Sequence, residues 1–378
     1  MHRSYRARRD RYAKRASVAN LRYDESQAAA NVAQRLAARG YVVRPRARGE
    51  VHTFAFISRV SWHESLLPDL RELGLVTEFD YVALGYSNQE FAAGAAGKRQ
   101  EMNALLLESI IEANHRQPID WVFMYATGGE ILASTVRAII DQVGVPVVNM
   151  CLDDKHSWET KPIGEQRGGQ IDIASAYDLS WTSARVACEW YLVEGGNPVY
   201  LPEGFDVTAF HPLDVPRDIA VSFVGAAYGF RPSVIDALRR ANIPVRAFGD
   251  GWGDGRLTSE EVVSVFNRSQ VNLGMGGIGY SQELTNLKGR DFEIPGCGGG
   301  VYLTSFNPDL AEHFVIGREI LCYRSTDELV ELSRWCLQHP DAARNIALRA
   351  RRRCLEEHRW LHRYVSLCEI LGILAPAN

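Results

Sequence analysis

The sequence predicts an α/β fold made of two doubly wound, Rossmann-like domains. Short apolar strands alternate with longer amphipathic helices along most of the chain, a pattern typical of parallel sheets covered by helices on both faces. The alternation stops once, at Glu203–Arg217, where Gly204, Pro212 and Pro216 interrupt it, and then resumes. The 378 residues, 46% of them hydrophobic, suffice for two cores of ordinary size. Two such domains joined by a linker predict a ligand cleft facing the carboxyl ends of both sheets.

The individual elements follow from runs of apolar residues and from their periodicity. In the first half we predict strands at His52–Ile57, Tyr81–Leu84, Trp121–Tyr125, Val145–Met150, Leu179–Thr182 and Val199–Leu201. Its helices are predicted at Asp24–Arg39, Glu64–Leu73, Arg99–Arg116, Glu130–Val143 and Ala184–Glu194. In the second half the strands are Ile219–Val224, Val245–Phe248, Val271–Leu273, Val301–Thr304 and Ile320–Tyr323. Helices are predicted there at Pro232–Ala241, Ser259–Asn267, Gln282–Ile294 and Pro308–Phe314, followed by three more at Thr326–His339, Asp341–Glu357 and Leu361–Leu371.

These elements predict four segments. Residues 1–48 form a basic helical arm, residues 49–205 the first Rossmann-like domain and residues 206–357 the second, while residues 358–378 form a helix that packs back on the first domain. No apolar run approaches the roughly 18 to 20 residues that cross a bilayer, and no charged-then-apolar leader opens the chain. Seven scattered cysteines without a C-x-x-C pair argue against a disulfide framework and a zinc knuckle. We therefore expect a soluble protein of the reducing cytoplasm.

The net charge of −4 conceals a strong asymmetry, since residues 1–22 carry +7 and the remaining residues −11. The basic side chains of this arm are Arg3, Arg6, Arg8, Arg9, Arg11, Lys14, Arg15 and Arg22. Two interpretations stay open: a solvated helix, and a peripheral contact with the inner face of a membrane, where each cation contributes about 1 kcal/mol. We expect no nucleic-acid partner, because the arm has few aromatic residues and the rest of the chain is acidic.

The segment from Phe223 to Arg231 leads from a strand through a glycine-bearing turn, with Gly225 and Gly229, into a helix. The N–H groups at such a turn can bind an anion, and Arg231 would add a guanidinium at the same place. Glycine also occurs in such turns for steric reasons alone. The pattern thus indicates a phosphate site without requiring one.

A second segment, Lys288–Gly300, combines cations, a carboxylate and glycines within thirteen residues. If a helix ends near Pro295, Glu293 lies in its last turn, and Gly298 and Gly299 can bring main-chain N–H groups close to a ligand. Glu293 could then accept both hydroxyls of a ribose while Lys288 or Arg290 neutralises a diphosphate. The alternative is a buried turn in which Lys288 and Arg290 form ion pairs with Asp291 and Glu293.

The order of these motifs resembles nucleotide-sugar glycosyltransferases with two Rossmann domains, the GT-B fold. The matching stretches are Leu201–Asp206, Gly225–Arg231, Gly289–Gly299, Pro308–Leu310, Gly317–Tyr323, Asp327–Val330, His339–Pro340 and the helices around His358. More narrowly they resemble the branch similar to the spore maturation protein CgeB, which is related to the retaining family with a Glu-x7-Glu signature. Coverage is good from about Pro198 to Tyr364 and poorer before Val145.

By this resemblance, Glu293 is the second glutamate of the signature and holds the ribose of the donor. Gly225, Arg290, Gly298 and Gly299 would also bind the donor, whereas Thr285 stands where the first glutamate belongs. Arg231 and Lys288 are the predicted pair that stabilises the leaving nucleoside diphosphate. With two such cations we expect neither a metal nor a cofactor.

Two residues of the first domain are candidates for a catalytic base. His63 follows the first strand, where a base can face a cleft, although a histidine on the surface at a helix start fits equally well. Asp153 and its neighbour Asp154 follow the strand that ends at Met150, and such a pair is also common as a helix cap. His63 or Asp153 would be required only if the reaction inverts the anomeric carbon.

The sequence as a whole predicts a glycosyltransferase that moves a sugar from a nucleoside-diphosphate sugar to an acceptor hydroxyl, with retention and without a metal. The acceptor, whether a glycan, a lipid-linked sugar or a small molecule, is not identified by the sequence. Two alternatives remain, namely a two-domain protein that binds a small ligand without chemistry and a related scaffold that has lost its activity. The missing first glutamate keeps the second alternative open.

Overall fold

The computed structural model describes residues 2–92, 96–163, 166–278 and 281–374. The chain divides into two compact units. The first contains Arg3–Pro202 together with the segment that starts at Leu361, and the second contains Glu203–Trp360. The chain therefore leaves the first unit after Pro202 and returns to it at Leu361.

The first unit is built on a six-stranded parallel sheet with the strand order β2-β1-β3-β4-β5-β6. Its strands are β1 Thr53–Ile57, β2 Val76–Glu78, β3 Trp121–Tyr125, β4 Val147–Cys151, β5 Leu179–Thr182 and β6 Pro198–Tyr200. Its helices are α1 His2–Val18, α2 Gln27–Ala38, α3 Leu67–Arg71, α4 Asn88–Ala92, α5 Ala96–Arg116, α6 Ala133–Val143, α7 Asp154–Ser157 and α8 Arg185–Val193. Short 3₁₀ turns lie at His63–Leu66 and Gln170–Asp172.

The second unit has a five-stranded parallel sheet with the order β13-β12-β9-β7-β8. Its strands are β7 Ile219–Val224, β8 Val245–Phe248, β9 Ser269–Gly274, β12 Val301–Ser305 and β13 Leu321–Tyr323, and β10 Gly277–Ile278 forms an antiparallel hairpin with β11 Ser281–Thr285. Its helices are α9 Arg231–Arg240, α10 Ser259–Arg268, α11 Arg290–Cys297, α12 Thr326–Gln338 and α13 Pro340–Glu357, with a 3₁₀ turn at Pro308–Glu312. Helix α14, Trp360–Ile370, lies in the first unit from Leu361 onward. The predicted pair of parallel sheets flanked by helices is confirmed.

The strand predicted at Tyr81–Leu84 is wrong, because these residues form a turn and the edge strand is β2. The Asp80 carboxylate accepts the N–H groups of Val82 and Ala83, which closes the turn. The Tyr81 ring is buried and stacks on Phe56. Tyr81 is therefore apolar core without being part of a strand.

The helix predicted at Gln282–Ile294 is also wrong, because this segment is divided between β11 and α11. Ser281–Thr285 pairs with Gly277–Ile278, and the helix starts only at Arg290. A carboxylate oxygen of Asp291 accepts the Lys288 N–H at 2.8 Å, which fixes the start of α11. Glu293 consequently lies in the first turn of α11 and not in its last.

One face of α1 packs on the first unit, so the expectation of a solvated helix is wrong for that face. Tyr12 and Ala16 are buried, and the Tyr12 ring lies 5.7 Å from that of Trp190. Arg15 pairs with Glu194, and Arg8 and Arg11 make ion pairs with Glu159. Several cations of the arm are therefore paired with carboxylates of the same chain. Contact of the arm with a membrane stays a prediction.

A search of the described helices for one long and apolar enough to cross a bilayer finds none.

Candidate functional site

The strand order of the second sheet has a switch point at the carboxyl ends of β7 and β9. From β7 the chain crosses to β8 on one side and then to β9 on the other. Ligands of open α/β sheets bind in the crevice at such a point. The loop Gly225–Phe230 and the segment Met275–Gly277 follow the two strands there.

The loop after β7 is held by the loop after β8. Gly225 donates its N–H to the Phe248 carbonyl at 2.8 Å, and the indole N–H of Trp252 donates to the Gly225 carbonyl at 2.7 Å. A side chain at Gly249 would lie 2.7 Å from the Gly225 carbonyl, so only glycine allows the two loops to touch. The backbone of Gly225 is thus fixed on both sides.

Two guanidinium groups flank Gly225. Arg231, the first residue of α9, donates to the Ala226 carbonyl at 3.1 Å, and Arg290, the first residue of α11, donates to the Val224 carbonyl at 2.8 Å. A Cβ built on Gly225 would lie 2.9 Å from Nη1 of Arg290 and 3.3 Å from Nη1 of Arg231. The strand end, the loop and both helix starts therefore bring two cations to one glycine.

Neither of these two cations forms an ion pair within the part of the chain that the structure describes. Arg231 is only 8% exposed and lies over the ring of Tyr228 at 4.1 Å. Burial, together with the charge of Arg290, lowers the pKa of Arg231, although Tyr228 opposes this shift. Arg290 is partly compensated, because its charge acts on the carboxylates of Asp291 and Glu293. An anion bound beside Gly225 could compensate Arg231.

Two carboxylates lie near Gly289, directly before α11. A Cβ on Gly289 would be 2.9 Å from Oε1 of Glu293 and 3.4 Å from Oε2 of Glu203. Burial raises the pKa of Glu293 to about 7, against the opposing charge of Arg290. Asp291 differs, because its buried carboxylate accepts the hydroxyl of Tyr302 at 2.5 Å and the Lys288 N–H. Asp291 therefore holds the fold, whereas Glu293 is placed to meet a ligand.

The prediction for Gly298 and Gly299 is wrong in its geometry. Both follow α11 and precede β12, so they lie at the amino ends of the strands, at the opposite edge of the sheet from Gly225. A Cβ on Gly298 would be 2.5 Å from Cδ of Arg351, and one on Gly299 would be 2.4 Å from the Phe266 carbonyl. These glycines allow close packing between elements and offer no surface to a ligand at the switch point.

Lys288, the predicted partner of Arg231, is not the cation that the structure places at Gly225. Lys288 lies in the segment before α11, and its N–H is bonded to Asp291. The second cation that the structure brings to Gly225 is Arg290, because the first residue of the helix points back toward β7.

In the first unit, the switch point lies at the carboxyl ends of β1 and β3, and His63 follows β1 there. Nδ1 of His63 lies 2.7 Å from the Val60 carbonyl. Because a carbonyl only accepts, Nδ1 donates in this contact, and Nε2 is the acceptor whenever the ring is neutral. The side chain of His63 is half-buried.

A buried polar cluster lies at the same switch point. The Ser58 hydroxyl donates to Oε1 of the buried Glu130, whose Oε2 accepts the Thr127 N–H at 2.8 Å. Asn88 donates to Ser58 at 3.2 Å. The sequence analysis missed this cluster because Glu130 reads there as the start of a helix, which begins only at Ala133.

Asp153 lies at the start of α7, 3.5 Å from Nε2 of His156, and its side chain does not cap the helix. Asp154 is fully buried and accepts the hydroxyls of Thr182 at 2.5 Å and Tyr191 at 2.9 Å. Burial raises the pKa of Asp154 to about 7. Within the described residues, no three His, Cys, Asp or Glu side chains come together as a metal site.

Trp252 and Glu203 are further parts of the second unit's site. A signal for Trp252 exists, since Phe248-Gly-Asp-Gly-Trp252 repeats the strand-and-glycine pattern found after β7. Glu203 carries no comparable signal, because it reaches Gly289 only through the tertiary fold.

Comparisons with known proteins support the fold. Residues 231–369 match a family model described as glycosyl transferase-like, and no curated protein matches the sequence. Similar solved structures include HepE (Alr3699) from Anabaena in complex with UDP-glucose, with 14% identity, a TM-score of 0.54 and coverage of 85% of this chain and 99% of that one. Sucrose-phosphate synthase from Thermosynechococcus elongatus has 14% identity, a TM-score of 0.53 and coverage of 90% of this chain and 91% of that one. A glycosyltransferase from Rickettsia africae has 9% identity, a TM-score of 0.57 and coverage of 86% and 99%.

Proposed function

We propose that this chain, which has the GT-B fold and carries a glycosyl transferase-like segment, moves a sugar from a nucleoside-diphosphate sugar to a hydroxyl of an acceptor. The observation that carries the proposal is the pair of arginines at Gly225, Arg231 and Arg290, which form no ion pair among the described residues and lie at the switch point of the second sheet. HepE, which has a similar fold, has been crystallised with UDP-glucose.

A diphosphate is the anion that fits this pair. Each guanidinium can bind phosphate oxygens with two parallel N–H groups, so two of them can hold the α- and β-phosphates. During transfer, the bond between the anomeric carbon and the β-phosphate oxygen breaks, and its electrons remain on the diphosphate. Positive groups already in place stabilise that developing charge by several kcal/mol.

The nucleoside would lie toward α11. Glu293 is in the first turn of this helix, three residues after Arg290. A carboxylate that accepts both hydroxyls of a ribose fixes the nucleoside while Arg290 holds the neighbouring phosphate. The spacing along one helical turn supports a common ligand for the two side chains.

We further propose that transfer proceeds with retention and without a metal. The two arginines can neutralise the diphosphate, which a divalent cation does in other sites. In a retaining reaction, the acceptor hydroxyl forms the new bond to the anomeric carbon and gives its proton to a phosphate oxygen of the leaving group. Thr285 supplies no carboxylate for the sugar, and its hydroxyl is 3.3 Å from Oδ1 of Asn307.

An inverting reaction is the second candidate, and the tautomer of His63 supports it. Nε2 can take the proton of the acceptor hydroxyl, whereas Asp153 is already paired with His156. The anomeric configuration of the product, read by NMR from its coupling constants, separates the two mechanisms.

The donor site is tested by ligand-dependent stability. If UDP, GDP or TDP binds, it raises the melting temperature of the full chain, because a ligand specific for the folded state stabilises it. We expect Arg231→Gln to lose this shift. Arg240→Gln, an exposed arginine at the other end of α9, should keep it. No shift with any of the three nucleotides, at concentrations far above micromolar, contradicts the proposal.

Turnover of nucleotide sugars separates the enzyme from a binding protein and from an inactive scaffold. A transferase releases nucleoside diphosphate in the presence of acceptor, whereas both alternatives leave the donor intact. Release from a panel of UDP-, GDP- and TDP-sugars can be followed without knowledge of the acceptor where water takes its place.

A further inference from the structure

A cavity of about 220 Å³ opens beside the anion site of the second unit. It lies at the carboxyl ends of β12 and β13 and at the starts of α9 and α12. Its lining includes three aromatic rings, four hydroxyl groups and one cation, supplied by Phe230, Phe306, Tyr323, Ser305, Ser325, Thr326 and Arg324. The volume is below that of most pockets for drug-sized ligands and suits a single small ring.

The cavity shares a wall with the anion site. Phe230 lines the cavity and directly precedes Arg231, which flanks Gly225. A Cβ on Gly277 would lie 2.6 Å from the ring of Phe230, so the ring rests on the backbone at the start of β10. A ligand with its phosphates at Gly225 can therefore place the next group of atoms against Phe230.

The polar groups of the cavity are arranged as hydrogen-bond donors. The Ser305 oxygen accepts the Gly276 N–H at 3.0 Å, and the Ser325 oxygen accepts the Glu328 N–H at 3.1 Å. Each hydroxyl then has its own O–H left to donate. Arg324 adds up to five N–H donors and no acceptor. Tyr323 differs, because its hydroxyl donates to the Gly274 carbonyl at 3.3 Å and leaves its oxygen as an acceptor. The guanidinium of Arg324 is therefore the group that favours a ligand that only accepts, such as a carboxylate.

The charge of Arg324 is not compensated within the described part of the chain. Its guanidinium lies over the ring of Phe306 at 4.0 Å, and no carboxylate is among the residues that line the cavity. The nearby Glu328 carboxylate accepts the Arg324 main-chain N–H at 2.6 Å instead of pairing with the side chain. The Phe306 ring holds the guanidinium plane in place, ready for a planar anion.

We infer that this cavity takes the sugar of the donor and that the sugar is a hexuronic acid, whose C6 carboxylate is bound by Arg324. The inference rests on the proposed function, since it assumes a nucleotide sugar at Gly225. Arg324 is then a residue that determines specificity, and it takes no part in breaking the glycosidic bond.

The test compares donors that differ only at C6. UDP-glucose and UDP-glucuronate form one such pair, and GDP-mannose and GDP-mannuronate form another. Affinities for the full chain are measured by calorimetry, with UDP and GDP alone as references. We expect the acidic donor to bind at least about tenfold more tightly than its neutral partner, because a bidentate, charge-assisted bond replaces a neutral one.

Variants assign the preference to the cavity. Arg324→Gln should remove it while the affinity for the free nucleotide stays unchanged, and Phe306→Leu should reduce it by loosening the guanidinium. Arg324→Lys keeps the charge and should retain part of the preference. Arg240→Gln, outside the cavity, should behave as the natural chain. Because Arg324 is exposed, its variants are expected to fold, which circular dichroism checks.

The outcomes separate this inference from the proposed function. If the nucleotide binds but the acidic donor is not preferred, or if the preference survives Arg324→Gln, the inference is overturned and the transferase proposal stands. If neither UDP nor GDP binds, both fail together. A preference that is lost in Arg324→Gln, reduced in Phe306→Leu and unchanged in Arg240→Gln supports the assignment.

Discussion

Gly225 is a residue whose missing side chain allows two arginines to approach each other. A methyl group there would lie 2.9 Å from Arg290 and 3.3 Å from Arg231, both at the ends of flexible side chains. We expect Gly225→Ala to move the guanidiniums and to weaken UDP binding at least about tenfold. The φ of +156° at Gly225 and the buried Phe223 ring, 3.1 Å from the added Cβ, also predict a lower melting temperature. Calorimetry measures the first quantity and a thermal melt the second.

Gly253 provides the matched control, because a Cβ at this glycine meets no atom within 4 Å. Gly253→Ala should bind UDP as the natural chain does. Equal affinity in the two variants would show that the space around Gly225 has no bearing on the ligand.

Glu293 makes donor binding depend on pH. Its pKa, raised to about 7 by burial, means that it is largely protonated at pH 6 and largely ionised at pH 8. Only the ionised carboxylate accepts both hydroxyls of a ribose, so affinity should rise with pH across this range. Below the pKa the change can reach about tenfold per pH unit.

The ratio of UDP to 2′-deoxy-UDP affinity isolates this effect, because the ionisation of the phosphates cancels. We expect the ratio to rise between pH 6 and pH 8 in the natural chain and to stay flat in Glu293→Gln. A ratio that is constant in both would remove Glu293 from the ribose site.

Residues around the anion site could be predicted from the sequence, because a strand followed by a glycine and a cation is a recognisable pattern. Arg231 and Arg290 reach Gly225 from different helices, and the choice between Arg290 and Lys288 depends on where α11 begins. Gly298 and Gly299 follow soon after Arg290 in sequence, yet the eight-residue helix between them advances the chain by about 12 Å. Proximity in sequence cannot reveal which edge of a sheet a turn occupies.

At the scale of elements, buried parallel strands were the most predictable feature. Their near-continuous apolar runs identify Trp121–Tyr125, Leu179–Thr182 and Ile219–Val224 at their observed bounds. The failures arise where local bonds compete with the pattern, as in the Asp80 turn and in the hairpin of β10 and β11. A strand of a hairpin is stabilised by its partner strand, and the spacing of apolar residues within one segment does not reveal that partner.

Helix α1 should contribute to the stability of the first unit, although its basic composition suggests a solvated helix. The Tyr12 hydroxyl donates to Glu194 at 2.8 Å and accepts the indole N–H of the buried Trp158 at 2.9 Å. Tyr12→Phe leaves both partners without this bond, so we expect the free energy of unfolding to fall by about 1 to 3 kcal/mol. Denaturant unfolding followed by tryptophan fluorescence measures it.

Val18→Ser serves as the control on the same helix, because Val18 is 81% exposed. It should change stability by less than about 0.5 kcal/mol. If Tyr12→Phe is as neutral as this control, α1 is the solvated arm that its charge suggests.

At the scale of the whole molecule, one interruption of the alternation was enough to predict two sheets. The connectivity is less visible, since the chain returns to the first unit at Leu361 after completing the second. Leu361 donates its N–H to Asp69 at 2.9 Å, and Arg46 donates its N–H to the Ile373 carbonyl at 2.7 Å. Residues far apart in sequence thus belong to the core of the first unit. Local sequence patterns do not reveal such contacts.

Tyr364 of α14 tests this connectivity. It is fully buried, its ring lies 5.5 Å from that of Phe123, and its hydroxyl donates to the Leu66 carbonyl at 3.1 Å. Replacing it with alanine opens a cavity under the first sheet, and such changes of a large aromatic residue cost about 3 to 5 kcal/mol. We expect hydrogen exchange, followed by mass spectrometry, to accelerate in β3 and to stay unchanged in β9.

Leu348→Ala on α13, where Leu348 is 45% exposed, should alter neither strand. Faster exchange in β9 as well would mean that α14 stabilises both units, and the division at Leu361 would have no energetic meaning.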